Sequence, residues 1–160
     1  MAALMQDALG ESVAEVGLTA PERALITAWL PVLDPQVETV ARRYYAHLRT
    51  TEVGRLLTPD RVDQLLAARI AHWRLLLRGD FAAVAADYQE RFGRRLFEAG
   101  FPMRIFVVAT DWFTAEFTRF VDTCPEIPDA LRCDLRVALI RYAFLDLVMA
   151  HASREIAYLD

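Results

Sequence analysis

Apolar residues recur three and four positions apart along almost the whole chain, and nowhere do apolar and polar residues alternate over a strand's length. No Asn-Gly or Asp-Gly pair marks a hairpin. This periodicity is that of helices packed through one face, and it restricts the chain to an all-α fold. Residues 1–18 are the weakest part of the pattern: a loosely ordered leader, or a short extra helix over 3–16. From there the helix starts are written in cap residues. Thr19, Pro21 and Glu22 have capping-box spacing ahead of an apolar face at Leu25, Ile26, Trp29, Leu30 and Leu33.

Pro31 is expected to bend or end that helix, because proline lacks the N–H that an interior position donates. Asp34-Pro35 then reads as a fresh N-cap with proline in the first turn, opening a helix to about Arg49 with Val37, Val40, Tyr44 and Leu48 inward. A turn over 51–57 leads to Thr58-Pro59-Asp60 and a helix to Arg78. Gly79-Asp80 ends it and caps a helix from Phe81 to Ala99, and Gly100 and Pro102 separate that from an aromatic helix carrying Phe106, Trp112, Phe113, Phe117 and Phe120. Cys124-Pro125 and Ile127-Pro128 break the chain before a last helix from about Asp129 to Tyr158, apolar on nearly every face between Val137 and Ala152.

A chain of 160 residues makes a single domain, here 1–160, and with 55% hydrophobic residues it can build a large core. Arg136, Arg141 and Asp146 interrupt its longest apolar stretches, so no membrane span is expected, and the acidic start carries no basic leader. A cytoplasmic protein is the expectation. A net charge of -4 leaves no electrostatic footprint for nucleic acid. Cys124 and Cys133 have neither metal-ligand nor redox spacing, and His47 and His151 have no second histidine or cysteine one helical turn away. No phosphate loop, nucleophile elbow, His-Glu-x-x-His pair or paired catalytic carboxylates occurs, so no enzyme is expected. Asp34, Asp60, Asp80 and Asp129 are accounted for as residues of helix starts.

Between Arg91 and Phe106 the chain reads RFGRRLFEAGFPMRIF. Its Arg91, Gly93, Gly100, Phe101, Pro102, Arg104 and Phe106 resemble the proximal segment of the bacterial globin-coupled sensor family. Tyr44-Tyr45 with Leu48, then His72-Trp73 with Leu76, Gly79 and Phe81, then Tyr88, and finally Ala138 to Leu159, are similar to further segments of that family in the same order. The resemblance covers roughly residues 20 to 159 and implies a globin-like fold of six to seven helices. It also implies a ligand pocket formed by Tyr45, Leu65, Ala68, His72, Phe92, Leu96, Ile105 and Phe106.

In that family a histidine three residues after the first glycine binds haem iron, and here that position is Leu96. Leucine has no lone pair to give a metal. The expectation is therefore a non-haem regulatory sensor domain with no cofactor and no metal. Haem held by another donor such as His72 is one alternative, and a ligand-free adaptor with a globin fold is the other. Tyr45 matches the position from which family members donate to iron-bound oxygen, and His72 lies on the helix that would cover the far side of a haem. Without iron, both are expected to be hydrogen-bonded core residues.

Family members continue, where this chain ends, into an output domain such as a cyclase, kinase or chemotaxis module. The resemblance thus implies a piece of a longer protein or a stand-alone relative, signalling to a partner through its last two helices. The apolar last helix also leads to the expectation of a homodimer, with Trp112, Phe120, Leu139, Tyr142 and Leu147 as its contacts.

Overall fold

The computed structural model describes residues 11–55, 58–88 and 104–157. Among them the chain is helical throughout and contains no strand. Residues 11–16 form a leading turn of helix, followed by α1 (Ala20–Leu48), α2 (Glu52–Arg55), α3 (Pro59–Leu77), α4 (Phe81–Asp87), α5 (Arg104–Thr123) and α6 (Asp129–Ala157). The most extensive pairing is α5 with α6, and the next is α1 with α3; α1 also crosses both α5 and α6, while α4 joins α3 to α6. This all-helical architecture is the globin-like one that the sequence resemblance implies.

Local chemistry sets the helix starts. Thr19 accepts from the Glu22 N–H and the Glu22 carboxylate accepts from the Thr19 N–H, the reciprocal capping box, with Pro21 in the first turn. Thr58 accepts from the Arg61 N–H ahead of Pro59, and Asp80 accepts from the Ala83 N–H ahead of Phe81. Gly79 has φ +73°, the left-handed value that ends a helix cheaply only at glycine. At the other end of α5, Arg132 donates to the carbonyls of Asp122, Cys124 and Ile127, tying down the turn into α6.

One expectation about α1 is corrected. The helix does not end at Pro31 and restart at Asp34; it runs unbroken from Ala20 to Leu48 with both prolines inside it. The two prolines leave the carbonyls of Thr27 and Pro31 without a helical donor, and Thr27, Pro31 and Pro35 are all exposed, so water can reach them. On the opposite side Ile26, Leu33 and Val37 are completely buried and hold the two halves on one core. Asp34 is no cap: its carboxylate lies 3.4 Å from the Arg74 guanidinium of α3. The turn after Leu48 likewise holds a short helix, α2, at whose Gly54 any Cβ would lie 1.9 Å from the Leu48 carbonyl oxygen. The joint at Gly100 and Pro102 lies outside the described residues.

The core runs between these helices and is rich in rings. Tyr44, Trp73, Phe113, Phe117 and Tyr142 are almost wholly buried, with Trp73 edge-on to Phe113 at 5.1 Å and Phe113 on Phe117 at 4.5 Å. No described helix is long and apolar enough to cross a membrane.

Candidate functional site

Where α3, α4 and α6 meet, the apolar core gives way to a compact set of charged groups. His72 on α3 is fully buried. Its Nδ1 lies 2.8 Å from an Asp87 carboxylate oxygen at the end of α4, and its Nε2 lies 2.6 Å from Asp146 on α6. Tyr88, the residue that caps α4, donates its hydroxyl to the same Asp146 oxygen at 2.5 Å and packs edge-on against the His72 ring at 4.7 Å. Arg69, one turn before His72, is buried beside them, its guanidinium 5.6 Å from the Trp73 ring centroid and 5.7 Å from that of Phe106. Tyr45 on α1 shares a side-chain hydrogen bond with Arg69.

The charges close. Two carboxylates face two ring nitrogens, and only an imidazolium donates from both. With Asp87 and Asp146 ionised and His72 and Arg69 cationic, the four charges balance among the described residues. That balance is what makes burial of four charges tolerable, since an unpaired ion in the interior is far more costly than a paired and hydrogen-bonded one.

Shifts in proton affinity follow the same geometry. Burial pushes the His72 imidazole down, but the Asp146 charge and the hydrogen bonds to Asp146 and Asp87 outweigh it, holding the group above its ordinary value while Arg69 opposes them. For Asp146, burial acts upward, and His72, Tyr88 and Arg69 together hold the carboxyl below its ordinary value. Burial and the Asp146 charge raise the Tyr88 phenol strongly, and burial lifts Tyr44 to about 12. Tyr88 and Tyr44 therefore stay protonated and donate, to Asp146 and to the Ile105 carbonyl, while the Tyr45 hydroxyl accepts from Arg69, whose guanidinium can only donate.

Of the residues singled out in the sequence, Tyr45, His72 and Phe106 come together around this interior, while Ile105 stands apart from it, its carbonyl accepting from Tyr44 at 3.4 Å. Leu65 and Ala68 are half-buried at the edge of the core. Phe92 and Leu96 lie outside the described residues. Ile105 also lines, with Tyr44, Leu48, Thr51 and Val108, a partly open and mainly apolar cavity of about 230 Å³. His72 is the hydrogen-bonded core residue expected, while its partners Asp87 and Asp146, and Arg69 beside them, are not among the site residues that the sequence points to. For Asp146 a signal existed: Tyr142, Ala143, Met149 and Ala150, three and four residues away on either side, are all buried, so an aspartate among them has to find a partner inside.

The residues expected at a dimer contact separate. Leu139 and Tyr142 are interior, the latter under the Phe81 ring at 5.4 Å, and so cannot form an outer surface. Trp112 turns toward α1, its ring 5.0 Å from that of His47, and Phe120 borders a groove with Pro31, Val32 and Pro35. Leu147 is half-buried. The apolar side chains that do face outward on α6 are Val137, Ile140 and Phe144, spaced three and four apart, with Val107 and Val108 on α5.

As arranged, His72 offers no lone pair to a metal, because both nitrogens are directed at carboxylates. The carboxylates approach it from opposite nitrogens, so they do not converge on one ion, and no cluster suited to a metal occurs among the described residues.

His72→Ala should leave both carboxylates without the cation between them and lower stability by about 3–5 kcal/mol. The sign with pH follows from the raised His72 affinity: its contribution is fully present below the unfolded histidine value of about 6.5 and is lost as pH rises through the higher folded value. Asp146 contributes in the opposite sense, losing its part as pH falls through its depressed value. Urea unfolding of wild type and His72→Ala across that range checks both effects. A variant as stable as wild type would show that His72 is not charged in the folded state.

No curated protein matches the chain. The protoglobin family model does, over residues 6–158, and it describes the globin domain of the globin-coupled sensors, which normally binds haem. With the helical architecture, that match over nearly the full length places the chain in the protoglobin family, as a globin-type sensor domain.

Proposed function

We propose that this protoglobin is a regulatory domain that works without haem, its interior held by its own charged side chains instead of a cofactor. The observation that carries this reading is His72 with each ring nitrogen on a carboxylate, at 2.8 and 2.6 Å. Haem iron needs a lone-pair donor. Here His72 is committed as an imidazolium, Tyr88 donates to Asp146, Tyr45 is hydrogen-bonded to Arg69, and the position matching the family's proximal histidine is Leu96. These residues thus do not fit an iron ligand set, and no chemistry is routed through one.

The family match favours a second reading, since members normally bind haem. It requires His72 to leave one carboxylate and deprotonate, which would remove the positive charge between two buried carboxylates. One measurement separates the two. The absorption spectrum of freshly purified protein, with and without added haem, should lack a stoichiometric Soret band; a band near one haem per chain that disappears in His72→Gln would establish the second reading.

Output, on this reading, passes through α5 and α6. Asp146 couples the charged interior to α6, while Val137, Ile140 and Phe144 on the outer side of the same helix form an apolar stripe, Phe144 being 49% exposed. Val107 and Val108 lie near the start of α5, and α5 is the helix most extensively packed on α6. Stripes spaced three and four apart are what helices bury against one another, and two copies meeting by a two-fold axis would make a four-helix bundle. A signal altering the interior would then reach the partner copy, or a following output domain, as a change in how these helices pack. Phe144→Glu is expected to give a monomer by light scattering at low micromolar concentration, where wild type gives a dimer. Wild type scattering as an 18.2 kDa particle at every concentration would remove the dimer from the proposal.

A further inference from the structure

We propose that the groove between the middle of α1 and the end of α5 is a binding site for an organic cation, a primary ammonium carried on an aromatic body. The groove shares no lining residue with the buried charged group. The site therefore stands whether or not the domain binds haem, which the absorption spectrum tests separately.

The groove is partly open and encloses about 440 Å³, within the range of about 300–1,000 Å³ typical of small-molecule sites. Three prolines line it, Pro31 and Pro35 from α1 and Pro125 just after α5, together with the half-buried Phe120 ring. In a helix a proline ring stands against the carbonyl four residues earlier and brings no N–H to it. Pro31 and Pro35 thus leave the carbonyls of Thr27 and Pro31 without their helical donors, on an exposed side of α1. Val121 lies in the last turn of α5, and the residue that would donate to its carbonyl is Pro125. One groove therefore has three prolines on its walls, and each leaves a carbonyl without its usual donor.

The side chains carry the same sign. Glu126 brings a carboxylate, and no basic side chain is among the described residues that line the groove. Gln36 offers an amide oxygen beside its NH2. Among the described residues neither Gln36 nor Glu126 makes a hydrogen bond or ion pair, so both are available to a ligand. The neighbouring charges are already engaged: Asp122 pairs with Arg136 at 2.9 Å, and Arg132 donates to the carbonyls of Asp122, Cys124 and Ile127. The end of α5 adds the partial negative charge of a helix C-terminus.

Acceptors around apolar rings select a molecule with positive charge and several N–H donors on an apolar body. A primary ammonium has three N–H groups, for the Pro31 carbonyl, the Gln36 amide oxygen and the Glu126 carboxylate. Its aromatic part would lie against the proline rings and Phe120. An anionic ligand would meet Glu126 and the carbonyls, and a quaternary ammonium keeps the charge but has nothing to donate. Occupancy would tie α1 to the end of α5, beside the turn into α6, and so bear on the helix pair assigned above to output.

Three probes of one shape test this on the full chain at neutral pH: tryptamine, its N,N,N-trimethyl derivative and indole-3-propionate, each titrated with the backbone amide NMR signals as readout. Tryptamine should shift the amides of Val32, Gln36, Thr123, Cys124 and Glu126. It should bind about tenfold tighter than either analogue, the effect of one hydrogen bond to a charged group. Glu126→Gln should weaken tryptamine about tenfold for the same reason. Pro35→Ala returns an N–H to the Pro31 carbonyl within a helix that alanine favours, so it should weaken tryptamine and leave the trimethyl derivative as it was. Equal binding of the three probes by wild type overturns the proposal on its own, whether or not the variants fold. So does the absence of tryptamine binding at millimolar concentration, or a set of shifts centred away from this groove.

Discussion

The structure depends on a charge balance at one point in its interior. Between two ionised carboxylates His72 donates from both nitrogens as a cation, and Arg69 supplies the second positive charge that balances them among the described residues. Buried ion pairs of this kind contribute little net stability, because desolvation offsets most of their attraction, but breaking one is costly. Their structural effect is therefore geometric. Three helices, α3, α4 and α6, have to arrive at one place with their polar groups aligned within hydrogen-bond reach, and α1 contributes Tyr45 against Arg69.

Around that point the apolar core does the ordinary work of holding helices together. Trp73 touches both the Phe113 ring and the Arg69 guanidinium, so the charged group and the aromatic core share a wall. Asp146 belongs to the same helix as Val137, Ile140 and Phe144, one side of it facing the buried charges and the other facing outward. A change in the interior and a change at the surface are thus two ends of one rigid element, the arrangement that a domain needs if it is to report on its own core.

How much of this is legible in the sequence differs by level. Cap residues placed the starts of α1, α3 and α4, because side chain and backbone lie within four residues of each other. Pro31 and Pro35 misled because a local rule was applied where a tertiary one won: their orphaned carbonyls face water while Ile26, Leu33 and Val37 bind both halves of α1 to the core. His72 was recognised as an interior residue, but its partners lie 15 and 74 positions away, a separation that periodicity does not bridge. Leu139 and Tyr142 were placed on the outside for a related reason. A helix apolar on most faces gives no sign of which face is inside, and it was the position of Phe81 and α5 that decided it.

The charge state of one imidazole is the point on which this account turns. Nitrogen NMR of histidine-labelled protein at neutral pH distinguishes a ring protonated at both nitrogens from either neutral tautomer. His72 should show two protonated, hydrogen-bonded nitrogens with shifts unchanged by added haem. A neutral His72 at that pH, or a resonance displaced on haem addition as an iron ligand would be, would contradict it.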